Sequence, residues 1–229
     1  MDATTLYPTY EAVCTELDHR RRVALGFERI EALLKLLDNP QHYMRAVQVV
    51  GTNGKGTTAI ALASALEAAG QPAGAYLSPH VLRYTERMIL RGRYASEEDF
   101  AAIIGRVLKI ADANEVPATQ FELLTAGALA MFRDVGLGWA VLEAGLGARH
   151  DATSVAKAEA VVLTNVGLDH MEYLGETVEE IAEEKLASLQ PGSVLILGTG
   201  DPRVVEAAWD TAERIGAHVV THEETAESG

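Results

Sequence analysis

The chain has 229 residues, 48% apolar and 23% charged, an ordinary composition for one sizeable α/β domain with room for a small appendage. A formal charge of −14 argues against a nucleic-acid-binding module, which would carry a basic face, but not against anionic small molecules, because local cations, helix N-termini and bound metal can overcome a negative average. No apolar run approaches the ~18 residues of a membrane span, no apolar signal core accompanies Arg20, Arg21 and Arg22, and the single cysteine, Cys14, excludes a disulfide framework, so a cytoplasmic protein without membrane partners is expected.

Taken in chain order, the apolar periodicity predicts a helix over 26–38 and a buried strand over 46–50 (AVQVV), followed by a helix over 56–69 and a strand over 73–77 (AGAYL). A helix over 97–112 is announced by Ser96 and Asp99, spaced as a capping box, and by the stripe Phe100, Ile103, Ile104, Val107 and Leu108. Then come a helix over 120–135 and strands over 139–143 (WAVLE) and 160–164 (AVVLT). A helix over 178–189 opens with a second box, Thr177 and Glu180. A strand over 193–197, a helix over 203–215 and a strand over 217–220 complete the series. This alternation predicts an α/β domain over 1–220 with a mostly parallel sheet flanked by helices. The acidic polar tail 221–229 is expected to fray.

The strongest local signal is VVGTNGKGTTAIALASALEAAG at 49–70, where a buried strand runs into a glycine-rich turn and directly into a helix. Backbone N–H groups of such a turn converge on an anion, the helix N-terminus favours negative charge, and Lys55 can reach outer phosphates. The general P-loop pattern is not met: Val49 stands where that pattern has its first glycine, Gly56 where it has Ser or Thr, and the hydroxyl comes one residue late at Thr57. A plain strand-to-helix turn with a chance lysine is the rival reading.

The variant GTNGKG followed by a hydroxyl residue resembles the phosphate loop of the folylpolyglutamate/dihydrofolate synthases, in the Mur ligase superfamily. Further blocks resemble that family in its own order: LGFERIEALLKLLDNP at 25–40, SPHVLRYTERMILRG at 78–92 as its mobile loop after the second strand, TQFELLTAGALAMF at 119–132, VLEAGLGARHDAT at 141–153 and LTNVGLDHMEYLGETVEEIAEEK at 163–185. Ala148, His150 and Ser154 depart from the usual Gly, apolar or aromatic residue, and Asn.

The resemblance implies a Mur-ligase central-domain-like fold with Thr52, Asn53, Gly54, Lys55, Gly56 and Thr57 on ATP. It implies Mg²⁺ at two sites, with Ser78 and Glu143 at the first. Read by itself, Glu143 at a strand's carboxyl end suits Mg²⁺ but equally a solvated strand-end acid. A lone loop histidine such as His170 is more often structural; the family match makes it a ligand of the second metal. Lys185 shares the apolar stripe of Val178, Ile181, Ala182 and Leu189, and the positions three and four back, Ala182 and Ile181, offer no ion pair. Such a lysine loses its charge readily or snorkels; the resemblance makes it a carbamylated lysine assisting the second metal. Thr119, Phe121, Asp151 and Ala152 are implied as pterin-binding, although Phe121 also fits a core stripe with Leu124, Ala128 and Phe132.

The activity so implied is ATP-dependent addition of L-glutamate to dihydropteroate or folate through an acyl phosphate, with Lys55, His170 and Lys185 serving the chemistry. The family also has a C-terminal domain that closes over the nucleotide, and nothing after about residue 220 is expected to supply it. A relative that binds nucleotide without ligation is therefore the second expectation, and a Mur-type ligase with another acceptor the third.

Overall fold

A computed structural model describes residue 7 and residues 9–221; most of the tail expected to fray lies outside the described residues. The helices are α1 (Tyr10–His19), α2 (Glu28–Leu36), α3 (Lys55–Ala68), α4 (Glu97–Ala113), α5 (Gln120–Asp134), α6 (Met171–Leu174), α7 (Val178–Leu186) and α8 (Pro202–Ile215). The strands are β1 (Arg45–Val50), β2 (Ala73–Tyr76), β3 (Met88–Leu90), β4 (Arg93–Tyr94), β5 (Trp139–Glu143), β6 (Ala160–Leu163), β7 (Val194–Leu197) and β8 (His218–Val220). They form one sheet in the order β4-β3-β2-β5-β1-β6-β7-β8. From β2 to β8 the pairing is parallel, and β3 and β4 add an antiparallel hairpin at one edge.

Alternation along the strands sorts side chains to two faces. Val47, Val49, Ala75 and Val141 pack under α3 through Ala59 and Ala63. On the opposite face Ala46, Tyr76, Ala140 and Leu142 meet α1, α2, α4 and α5, where Leu123, Leu124, Ala128 and Phe132 are fully buried. Val50, Val161, Leu163 and Leu195 are covered by α7 and α8. Among the described residues no helix is long and apolar enough to cross a membrane.

Several expectations are corrected. The segment 78–92, expected as a loop, contains a 3₁₀ turn at Tyr84–Arg87 and the strand β3, which pairs antiparallel with β2. Arg91 and Gly92, both at positive φ, make the two-residue turn of the β3–β4 hairpin. Helix α1 was not expected, nor was the single turn α6. α2 stops at Leu36 because Asp38 and Asn39 are left-handed and Pro40 follows, which disfavours helix at Asn39. α7 ends at Leu186 rather than 189. Both anticipated N-caps form, since Ser96 accepts from the Asp99 N–H and Thr177 from the Glu180 N–H. Neither box closes: the Asp99 carboxylate takes the Ser96 hydroxyl, and Glu180 takes the N–H of Glu176, one residue too early.

Candidate functional site

β1 lies between β5 and β6, so the connection from β5 to β6 crosses it and the carboxyl ends of these three strands open a crevice, the usual ligand position in an open α/β sheet. Three segments meet there: the turn at 51–54 after β1, the segment 144–151 after β5, and the segment 164–170 after β6.

The turn after β1 is held from outside by the third segment. Asn165 accepts the N–H groups of Thr52 (2.9 Å, backbone carbonyl) and Asn53 (3.0 Å, side-chain oxygen), and its side chain donates to the Asn53 carbonyl at 2.9 Å. Thr164 Oγ1 donates to the same carbonyl at 2.7 Å. Thr52 Oγ1 accepts the Gly167 N–H at 2.9 Å. A Cβ on Gly51 would fall 2.0 Å from Thr164 Oγ1, and its φ of +142° is one that side-chain-bearing residues rarely adopt. Asn53, Gly54 and Thr57 are exposed around the start of α3, whose first N–H groups have no intrahelical partners. Thr164, Asn165 and Gly167 brace this loop from the block at 163–185, where only His170 and Lys185 stand out in the sequence.

Glu143 ends β5 beside Val49 and is 7% exposed. Burial pushes its carboxyl up from the ordinary glutamate value, against hydrogen bonding from the Ser78 N–H and the nearby charges of Lys55 and Arg87. That N–H reaches Glu143 Oε2 at 2.8 Å. Gly56 sits directly over the carboxylate, since a Cβ there would lie 3.1 Å from Oε2. Arg87, which the sequence reading passed over, is buried and donates through Nε to His80 Nδ1 at 2.9 Å.

Two lysines converge on one oxygen. Lys55 Nζ donates to the Gly51 carbonyl at 3.1 Å and to the Thr52 carbonyl at 3.2 Å; Lys185 Nζ donates to the same Gly51 carbonyl at 3.1 Å. Lys185 is 5% exposed, and its ammonium is brought down to about 8 by burial first and the Lys55 charge second, with Asp169 and Glu184 opposing. His170, left-handed at φ 48°, is exposed, with the Asp169 carboxylate 3.8 Å from Nε2. Asp169 thus relates to both His170 and Lys185.

Beside Ser78 opens a mainly apolar cleft of about 250 Å³. Thr119, Phe121, Asp151 and Ala152 all line it, and the segment Arg22–Leu25, absent from the residues expected there, forms a further wall. Its signal in the sequence was slight: Val23 and Leu25 are apolar, lie outside any periodic pattern and prove strongly exposed. Phe121 continues the core stripe of α5 and also lines the cleft. Leu124, Ala128 and Phe132 of its stripe are wholly buried, while Phe121 stands half-buried at the open end, with its ring against Gly145. Thr119 caps α5 in a closed box with Glu122. Asp151 is buried with four donors on its carboxylate: the N–H groups of Gly145, Leu146 and Thr153, and the Thr153 hydroxyl.

The donor set fits magnesium. Among the described residues no group of three or more His, Cys, Asp or Glu side chains could hold a metal by itself. A single buried carboxylate close to Ser78, next to a glycine-rich loop at a helix N-terminus, matches the way Mg²⁺ combines one or two carboxylates with phosphate oxygens.

Comparison with known proteins shows the family. The model of the Mur ligase middle domain matches residues 49–228. The dihydrofolate synthase/folylpolyglutamate synthase of Bacillus subtilis is 34% identical over 197 residues, 84% of this chain and 46% of that protein. The Escherichia coli protein of the same description is 35% identical, over 87% of this chain and 46% of its own length. Among solved structures, Escherichia coli FolC in complex with DHPP and ADP superposes with a TM-score of 0.86 at 32% identity, covering 93% of this chain and 51% of that one. A bifunctional folylpolyglutamate synthase/dihydrofolate synthase with Mn, AMPPNP and L-glutamate bound gives 0.82 at 33% identity, covering 96% and 52%. The chain spans about half the length of the curated relatives it matches. With its parallel sheet, its loop after β1 and this match over most of its length, the chain belongs to the Mur ligase middle-domain family, and the relatives it resembles are dihydrofolate and folylpolyglutamate synthases.

Proposed function

We propose that this chain carries the nucleotide, magnesium and acceptor sites of an ATP-dependent ligase that joins L-glutamate to a pterin-bearing carboxylate, dihydropteroate or folate. The observation that carries the reading is the convergence of Lys55 and Lys185 on the Gly51 carbonyl of the loop after β1, with Glu143 packed against Gly56 at the start of α3 and an apolar cleft adjoining Ser78. The folate, glutamate and nucleotide complexes among the similar solved structures support the choice of substrates.

In this reading the N–H groups of the loop and the first turn of α3 take the phosphates, and Lys55 exchanges the Gly51 and Thr52 carbonyls for phosphate oxygen. Glu143 and the Ser78 hydroxyl would hold one Mg²⁺, and His170 with Lys185 a second; bound there, the metal would neutralise charge developing on the transferred phosphoryl group. Apolar cleft walls leave an acceptor carboxylate as the polar end directed toward Ser78. Its oxygen attacks the γ-phosphorus, the bond to the β-phosphate oxygen breaks, and ADP leaves an acyl phosphate. The glutamate amine then attacks the acyl carbon, the carbon–oxygen bond breaks, phosphate departs and the amine loses its proton. Positioning and charge stabilisation do most of this work.

Lys185 enters through its amine. Desolvated and without a carboxylate in contact, it can add to CO₂, forming an N–C bond with loss of a proton and leaving an anionic carbamate. The test of the function as a whole is glutamate-dependent ADP release with dihydropteroate and, separately, with a reduced folate. Release with either supports ligation. Nucleotide binding with release in neither case favours the noncatalytic relative, and absence of nucleotide binding overturns both.

A further inference from the structure

Gln48 stands in the middle of β1, three residues ahead of Gly51, and is 1% exposed. The residues sharing its sheet face, Ala46 and Val50, are apolar and buried, so an amide here is costly unless its hydrogen bonds are made. Its Nε2 donates to Thr153 Oγ1 at 2.7 Å and to Ser154 Oγ at 3.0 Å. Each of those hydroxyls has one proton, and each proton is already committed. Thr153 Oγ1 donates to Asp151 Oδ1, and Ser154 Oγ donates to the Ala148 carbonyl at 2.7 Å. Only lone pairs remain, so the group between them must offer two N–H bonds from one atom. A primary amide does this, and a carboxylate of the same shape cannot. The same logic fixes the amide's orientation, with Oε1 turned away and unpartnered.

From Asp151 the chain of bonds continues into the cleft. Its Oδ2 accepts the N–H of Gly145 at 2.8 Å and of Leu146 at 3.1 Å, and Gly145, Leu146, Asp151 and Ala152 all line that cavity. We infer that Gln48 is a positioning residue for the acceptor: its two-donor amide, acting through Thr153, Ser154 and Asp151, sets the cleft wall 145–152 from the strand that carries the phosphate loop. This rests on the acceptor reading of the cleft. Gln48 itself touches neither the cleft nor the loop, so its substitution should separate the two ligands.

The experiment uses Gln48→Glu, which keeps the shape but replaces the donor nitrogen with an acceptor oxygen, and Gln48→Met, which keeps the volume and offers neither. Calorimetric titrations of the wild type and both variants with dihydropteroate, and separately with ADP and Mg²⁺, give the affinities. Expected are a rise of about tenfold or more in the dihydropteroate Kd for Gln48→Glu, a smaller rise for Gln48→Met, and ADP affinity within about twofold of wild type in both. Should Gln48→Glu fail to fold, Gln48→Met decides the matter by the same split. Parallel losses for both ligands would mark Gln48 as merely structural, and unchanged dihydropteroate binding would also overturn the inference. A wild-type chain that binds ADP but neither dihydropteroate nor folate would instead refute the acceptor reading, and this inference with it.

Discussion

At Gly56 two physical demands oppose each other. The residue lies in the first turn of α3, where replacing glycine by alanine normally favours helix by up to about 1 kcal/mol. A Cβ there would press to 3.1 Å on Glu143 Oε2 and 3.5 Å on Oε1. Gly56→Ala is therefore expected to leave thermal stability unchanged or raised while shifting the magnesium dependence of nucleotide binding to higher concentrations, by about tenfold. Melting curves and a magnesium titration on one preparation check both halves: a stability loss would show that the contact outweighs the helix gain, and an unshifted magnesium dependence that the crowding is relieved without disturbing Glu143. In the sequence this glycine is visible as a departure from the general P-loop pattern. Only the structure supplies the cause, because Glu143 lies far away in the chain and its proximity depends on the β1–β5 register.

Lys185 permits a prediction with a sign. With its folded value near 8 and an ordinary unfolded value of 10.5, the unfolded chain binds more protons between those two values. In buffer free of bicarbonate, this group's contribution to stability therefore rises from pH 8 to 10.5 and is least favourable below 8. Urea denaturation of wild type and Lys185→Met at pH 7 and pH 9.5 should show the wild type gaining on the variant at the higher pH. At pH 7.5 about a quarter of such amines are neutral, against about one in a thousand for an unperturbed lysine. Addition of ¹³C-bicarbonate should then give a carbamate resonance in the wild type that Lys185→Met lacks. A flat difference in stability together with no resonance would sink the assignment. The absence of an ion pair was legible from Ala182 and Ile181 alone; the Gly51 carbonyl as partner was not, being 134 residues distant.

Among the elements, α5 carries the most cleft residues, and its start is a closed capping box. Thr119 accepts the Glu122 N–H, and Glu122 returns to the Thr119 N–H at 2.7 Å while pairing with Arg29 of α2 at 3.0 Å. Glu122 is buried, so its truncation would leave Arg29 without its carboxylate as well as opening the cap. Thr119→Ala should cost about 1 kcal/mol and Glu122→Ala about 3 kcal/mol, measured by urea denaturation, with the order of the two as the critical outcome. This box was readable as T-x-x-E at 119–122, whereas the two boxes that were read from the sequence form only their N-caps. The long helices and the six parallel strands were legible because each buries a periodic face. α1 was legible in principle, with Tyr10, Val13, Cys14 and Leu17 at helical spacing, but only Val13 and Leu17 are fully buried and the signal is short. The β3–β4 hairpin has three- and two-residue strands, too brief for period-two alternation to show.

Across the whole molecule, the proposed nucleotide and acceptor sites share one sheet edge and one pair of residues: Ser78 lines the cleft, and its N–H binds Glu143 beside the phosphate loop. A ligand that binds only the folded chain stabilises it by about 2.7 kcal/mol at a hundred times its Kd. For a domain of this size that is about 5–10 °C in Tm. ATP with Mg²⁺ should produce such a shift, and removal of the metal with a chelator should abolish most of it, because Glu143 would then face the phosphates as one anion against another. Dihydropteroate should give a shift of its own. If Ser78 and Glu143 couple the two sites, the shift with both ligands exceeds the sum of the separate shifts by a coupling energy of about 1–3 kcal/mol. Strict additivity would mean that the phosphate loop and the cleft act as independent sites, leaving Ser78 as a structural donor to Glu143 rather than the hinge between the two reactants.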